Sequence, residues 1–304
     1  QKNRFSVFTG LRYSLNHVLG VFEDTTVQLV SPNIELENKS LNGSFNISYY
    51  PHQKTKITFD LSSGFKSPNI DDLGKVFTKD EFITIPNNNL SPERSYCSSI
   101  GWNQNFNLFQ NNLKLIFFNN AYATYLQNVI VKNDFALDGD EHLFYNNSWY
   151  KIIANQNDGN ALIYGLNSSV DISFFEKFIL HSSLSYTRGV LLEDNIPFGH
   201  IPPITGKVSL NYKNKNWKLS GFSFFNGDKQ RSNFGQANVD NPNEASSFGY
   251  PKWWTLNFKI EHFISENLKI IMGCYNLLDI HYKTFASGIS SPGRSILASF
   301  KLSY

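Results

Sequence analysis

His181 is followed by Ser182, Ser183 and Ser185, the one stretch of this 304-residue sequence where an imidazole and hydroxyls crowd together as a base and its nucleophile would. On an extended chain neighbouring side chains alternate faces, so such a group reads as a polar pair before it reads as a catalytic one. The other histidines, His17, His52, His142, His200, His262 and His281, have no spacing that gathers them on one metal, and Cys97 and Cys274 stand apart as two inert thiols. Asp138, Asp140 and Glu141, around Gly139 and near Asp134, place oxygen ligands for calcium in one stretch without the full calcium-loop pattern. A solvated acidic loop is the plainer reading. Trp149, Tyr150, Phe234 and Trp253 offer rings that could stack on a flat or sugar-like small molecule or anchor at a membrane interface. With no phosphate-cradling glycine loop and no nucleophile elbow, we expect no enzyme activity, no cofactor and no resident metal.

Strands must hold these residues. Hydrophobic residues are 41% and charged residues 17% of the sequence, and no run approaches the roughly 20 apolar residues of a spanning helix. Aromatics reach 15%, with 27 Phe, 15 Tyr and 5 Trp, enough to furnish girdles at two membrane interfaces. A net charge of +2 with interspersed signs argues against nucleic acid as a partner. Ile296, Ala298, Phe300 and Leu302 alternate with Ser295, Ser299 and Lys301, as a strand does between lipid and water. The same period of two recurs in Leu41 to Tyr49, Lys56 to Ser62, Tyr164 to Phe174, Ile204 to Tyr212 and Trp254 to Glu261. It is weaker in Lys114 to Tyr122 and Trp217 to Phe225, where large apolar residues fall on both faces.

Links alternate in length. Tight ones are expected at Pro51 to Gln53, Asn107 to Asn111, Glu176 to Lys177, Asn214 to Lys215 and Ser265 to Glu266. Long polar ones are expected at Asn16 to Ser40, Phe65 to Pro92, Gln127 to Leu162, Gly189 to Pro203, Gly227 to Lys252 and Leu278 to Pro292. The expected fold is therefore all-β: an antiparallel transmembrane β-barrel segment of about twelve strands, with short periplasmic turns and long extracellular loops. A soluble sandwich is the competing reading, but its loops would be shorter and its solvent face richer in Lys and Glu.

Three ordered groups of residues then resemble one family. Gly64-Phe65-Lys66-Ser67-Pro68-Asn69-Ile70-Asp71-Asp72-Leu73, with Asn89-Leu90-Ser91-Pro92-Glu93-Arg94-Ser95, is similar to a loop and strand start in TonB-dependent outer-membrane receptors. His200-Ile201-Pro202-Pro203-Ile204-Thr205-Gly206 resembles that family's start of a descending strand. Asn276-Leu277-Leu278-Asp279, Tyr282, Gly288, Pro292-Gly293-Arg294 and the terminal aromatic strand complete the match. Taken by themselves, the prolines cannot donate to a ladder and mark strand starts, while the Asn, Asp and Gly residues suit turns.

The resemblance implies an outer-membrane receptor of a Gram-negative cell. Such receptors import a scarce solute such as a ferric siderophore, vitamin or glycan, pulled by an inner-membrane TonB complex acting on a plug. It implies that residues 1–304 are the C-terminal portion of a 22-stranded barrel, with the plug and first strands absent; Gln1, without a leader, suits a fragment. It also implies that Phe300, Leu302 and Tyr304 address the barrel assembly machinery, with outer-membrane lipid around the wall and a small-molecule substrate within. The alternatives are a passive twelve-stranded pore or a barrel phospholipase using His181.

Overall fold

The computed structural model describes residues 4–21, 33–74, 76–109, 112–236 and 238–303. Twelve long strands form one sheet in which each pairs with the next in sequence: β1 (Phe5–Val21), β2 (Asn33–His52), β3 (Thr55–Lys66), β4 (Glu93–Leu108), β5 (Leu113–Gln127), β6 (Asn160–Phe174), β7 (Phe178–Leu191), β8 (Thr205–Lys213), β9 (Trp217–Asn226), β10 (Trp253–Phe263), β11 (Leu268–Tyr275) and β12 (Ser295–Leu302). Every pairing is antiparallel. Among the described residues β1 and β12 do not pair with each other, so the sheet is an open wall.

The five expected tight links fall between adjacent strands on one rim, residues 110–111 of the second lying outside the described ones, and the long links gather on the other rim. The first boundary needs correction. Residues expected in a loop from Asn16 to Ser40 are strand up to Val21 and again from Asn33; residues 22–32 lie outside the described ones. Polar side chains can occupy a ladder that rises above the bilayer, because pairing satisfies the backbone while water solvates the side chains. Here Asn16 faces Asn38, and Glu37 meets Lys39 at 2.8 Å.

Register divides the wall into two faces. Tyr49, Ile57, Trp102 and Asn119 fall on one connected row; Asn46, Asp60, Ser99, Tyr122, Gly165 and Thr187 fall on another, of opposite face. The second face is knit by polar contacts. Asp60 accepts from Asn46 at 2.5 Å and Ser99 at 3.2 Å, and Glu261 accepts from Lys259 at 2.9 Å and Lys269 at 2.6 Å. Tyr122 reaches across Gly165 to Thr187 at 2.7 Å, a path that only a missing side chain leaves open. The weakly patterned strands owe their inward apolar residues to partners of their own: Lys207 lies 5.7 Å from the Phe222 ring and 5.5 Å from the Phe224 ring.

On the other face an aromatic band crosses the ladder diagonally. Tyr96 pairs with Tyr125; Tyr164 lies two residues below the partner of Tyr125; Tyr186 lies two below the partner of Tyr164; Phe225 and Trp254 pair two rows lower again. The band thus falls about one residue per strand, and a rise of about 3.3 Å per 4.8 Å strand spacing is a tilt of about 35°. That is the tilt of strands crossing a membrane as a barrel. A second band of Phe174, Phe178, Tyr212 and Trp217 runs near the tight turns, with Phe174 and Phe178 stacked at 5.2 Å. From Tyr164 to Phe174 the drop along the membrane normal is about 27 Å, the height of a hydrocarbon layer. No described helix is long and apolar enough to cross.

The long polar links carry regular structure of their own. Segments Phe82–Ile85 and Ser148–Asn157 pair in parallel; the second also pairs with Ile130–Asp134 and His142–Tyr145, and the first with Phe77–Lys79. Ile83, Ile85, Ile152 and Ala154 form the buried cluster of this loop sheet, with Val76, Phe135, Leu137, Leu143, Tyr145 and Tyr150 packed against it. The strands are three to ten residues long, and their turns use Asn and Asp, which is why the stretches read as loops.

Candidate functional site

Above the wall, the loop sheet, the link after β7 and the link after β9 enclose a chamber of about 450 Å³. Phe77, Phe82, Ile130, Val131, Ile153, Leu191, Phe198 and Val239 make it apolar, while Lys79, Lys132 and His200 bring cationic or metal-seeking groups to it. Asp80, Thr84, Asn155, Gln236 and Asn238 add further polar groups, and the size and largely apolar walls fit a small-molecule site.

The link after β3 supplies one wall, and its position is fixed by the first family-like group. Asn69 caps a one-turn helix (Ile70–Leu73) by accepting from the Asp72 amide at 3.0 Å, while the Asp72 carboxylate accepts from the Asn69 amide at 3.1 Å. Leu73 and Leu90 are buried together against Val18, Leu36 and Ile130. Lys66 bridges Asp72 at 3.6 Å and Glu93 at 3.3 Å, and Glu93 accepts from the Ile130 amide at 2.6 Å. The Asn155 side chain donates to the Asp72 carbonyl at 2.9 Å, and the Asn157 side chain accepts from the Ser91 amide at 2.6 Å. These residues tie the link to the loop sheet rather than to a ligand.

The other wall hangs on Asp240. Its carboxylate is fully buried and accepts from two backbone amides, His200 at 2.8 Å and Gly235 at 2.7 Å, with the His200 ring 3.7 Å away. His200 adopts a left-handed φ of 60°, unusual for a residue with a Cβ, and its ring is 73% exposed at the chamber rim. Lys79 donates to the Asn241 side chain, joining this link to the loop sheet. Lys132 lies 4.6 Å over the Phe77 ring. Lys229 donates to the Ile201 carbonyl at 2.8 Å; burial pushes its ammonium below the ordinary lysine range, and the Asp240 carboxylate opposes that shift. Burial likewise raises the Tyr250 hydroxyl, which donates to the Asn241 carbonyl at 2.9 Å.

The residues singled out from sequence fall elsewhere. Trp149 is 70% exposed and lies against Phe144 at the tip of the loop sheet, and Tyr150 packs on that sheet's core. Phe234 joins Tyr250 and Phe285 in an aromatic cluster, and Trp253 meets Tyr282 in a tilted pair at 4.2 Å. None of the four lines the chamber. Asp138, Asp140 and Glu141 are solvent-exposed in a turn, and among the described residues no three His, Cys, Asp or Glu side chains group to hold a metal ion. His181 bonds to Asp171 at 2.6 Å, not to its neighbouring serines.

Of the remaining family-like residues, Pro203 is buried and Pro202 exposed just before β8. Asn276 holds the link after β11 through the Ile280 amide and carbonyl and the Pro292 carbonyl. Asp279 accepts from the Arg294 amide at 2.7 Å, close beside Gly293, and Gly288 lies near Glu244. Phe300 and Leu302 point outward from β12; Tyr304 lies outside the described residues. Sequence reasoning missed Lys79, Lys132 and Asp240, whose only signal was an isolated charge within a polar loop.

The chain matches the family model described as TonB dependent receptor-like, beta-barrel, over residues 2–277. It is 24% identical over 268 residues to Probable hemoglobin and hemoglobin-haptoglobin-binding protein 4 of Haemophilus influenzae, covering 81% of this chain and 25% of that protein. Its fold is similar to that of Copper transporter OprC, with a TM-score of 0.78 at 15% identity over 100% of this chain and 46% of the other. It is similar also to the FrpB iron transporter from Neisseria meningitidis (F3-3 variant), with a TM-score of 0.71 at 13% identity over 99% and 42%. The chain spans about a quarter of the curated relative and less than half of each solved structure.

Proposed function

Because the chain belongs to the TonB dependent receptor-like β-barrel family, and so to the outer membrane of a Gram-negative cell, we propose that it forms wall and outer loops of a receptor for energy-dependent uptake of an iron-bearing solute of the haem type. Family members are transporters and receptors, not enzymes, and the family match lends nothing to a passive pore. Edges of β1 and β12 left unpaired among the described residues favour a wall completed by further strands around a plug, since unpaired backbone groups in hydrocarbon cost several kcal/mol each. TonB would act through that plug. Outward Phe300 and Leu302, with Tyr304, would address the assembly machinery.

The observation that carries the substrate class is the chamber's chemistry. Its apolar walls suit a flat macrocycle, Lys79 and Lys132 suit two peripheral carboxylates, and His200 presents an imidazole of the kind that ligates haem iron. A curated relative named for hemoglobin binding and a structural neighbour named as an iron transporter support the same class. Calcium at Asp138, Asp140 and Glu141 is no part of this reading.

Hemin titrated into the full-length receptor in detergent, followed by its Soret absorbance, tests the assignment. His200→Ala is expected to move the Soret band and weaken binding by about tenfold, and Lys79→Ala with Lys132→Ala to weaken it by a similar factor without moving the band. Identical spectra and affinities in all three proteins would remove haem as the substrate. Uptake of a ferric catecholate in its place would leave the importer standing.

A further inference from the structure

Across β3 to β12 the outward face carries aliphatic, aromatic, small and amide side chains, with two charged exceptions. Arg94 on β4 and Arg188 on β7 are the only Lys, Arg, Asp or Glu residues whose register places them there, and both are exposed. Their height is not arbitrary. Arg94 stands two residues above Tyr96, and Arg188 two residues above Tyr186, so both sit one outward step beyond the same tilted aromatic band. Between them lie Tyr125 and Tyr164, also on the outward face.

Neither guanidinium has a side-chain hydrogen bond or ion pair among the described residues, in contrast to Lys66, Lys259 and Lys269, which are all paired on the inward face. A charge in the hydrocarbon would be costly, whereas a step beyond the tyrosines it reaches the headgroups of the leaflet on the loop side. A guanidinium fork facing an anionic surface pairs best with phosphate, through two parallel hydrogen bonds. The strands bearing the arginines are three apart, and Arg188 lies four residues lower along the ladder than the row of Arg94, a separation of about 20 Å at the usual spacings, which two extended arginine side chains can close onto one headgroup carrying two phosphates. Tyrosine hydroxyls below would bond to its sugar or ester oxygens while their rings meet the upper acyl carbons.

We infer that Arg94 and Arg188, above Tyr96, Tyr125, Tyr164 and Tyr186, form a binding site on the outside of the wall for a phosphorylated lipid of the outer leaflet. The site is separate from the chamber and independent of what the receptor imports.

Native mass spectrometry of the full-length receptor in detergent, titrated with bisphosphorylated lipid A, reads this directly. The wild type is expected to bind about tenfold more tightly than Arg94→Gln/Arg188→Gln, with Arg12→Gln, on the inward face of β1, indistinguishable from wild type. Inorganic phosphate at millimolar concentration is expected to leave the lipid in place, since it lacks the acyl chains that the aromatic band contacts. Heat-modifiable mobility on a denaturing gel shows whether each variant has assembled. Should the glutamine pair not assemble, Arg94→Lys/Arg188→Lys keeps the charge and loses the fork, with a loss of about threefold expected. The inference is overturned if an assembled pair binds the lipid as the wild type does, if Arg12→Gln loses as much, or if inorganic phosphate alone displaces the lipid.

Discussion

Asp240→Ala is expected to release the outer links from one another while the wall stays folded. The carboxylate is fully buried and satisfies the amides of His200 and Gly235, on two different links. Removing it leaves two part-buried amide donors without their acceptor, a local cost of about 1–3 kcal/mol, larger than most single contacts contribute. The His200 ring would lose its fixed position at the chamber rim, and hemin affinity should fall by at least about tenfold. Limited proteolysis within residues 227–252 should become rapid, with the heat-modifiable mobility of the barrel unchanged. Asp240→Asn, which keeps one acceptor oxygen, should lie between. Protease resistance equal to wild type in the alanine variant would show that Asp240 does not hold these links together.

Gly165→Ala is expected to be as damaging to the wall as Asp240→Ala is to the loops. A methyl group there would collide with the Tyr186 carbonyl oxygen and the Tyr122 ring, and the first of these is backbone within the ladder. Overpacking of this kind costs about 1–3 kcal/mol or more, because the sheet can relieve it only by distorting strands on both sides. Folded receptor in the outer membrane, measured by heat-modifiable mobility, should drop several-fold. Gly43→Ala is the matched control, since its new methyl would meet nothing nearer than the Gly10 carbonyl oxygen at 3.9 Å. Equal yields from the two variants would refute the steric argument. Tyr122→Phe should cost far less than Gly165→Ala, since it removes one hydrogen bond to Thr187 and leaves the ring in place.

The wall was legible because lipid on one side and water on the other impose a period of two that local sequence carries by itself. Ile57, Phe59 and Leu61 against Lys56, Asp60 and Ser62 needed no knowledge of any distant residue. Tight links were legible for the same local reason. The loop sheet was not, because Phe82–Ile85 acquires its partner from Lys151–Ala154, far along the chain, and a four-residue strand is too short for periodicity to register. The chamber was harder still: Lys79, Lys132, His200 and Asp240 come from separate links, and nothing in the neighbourhood of any one of them announces the others. The aromatic residues that did stand out, Tyr150 and Phe234 among them, stood out for their size, and size is what loop cores and ring clusters recruit.

The parallel pairing of Phe82–Ile85 with Lys151–Ala154 bears on how such receptors diversify. A recombination event or a graft that moved only one of these two links into another barrel would deliver half a sheet, with Ile83 and Ile85 or Ile152 and Ala154 bared to solvent and their backbone edge unmatched. Chimaeras exchanging both segments together are expected to reach the outer membrane folded, as read by heat-modifiable mobility, where exchanges of one alone are not.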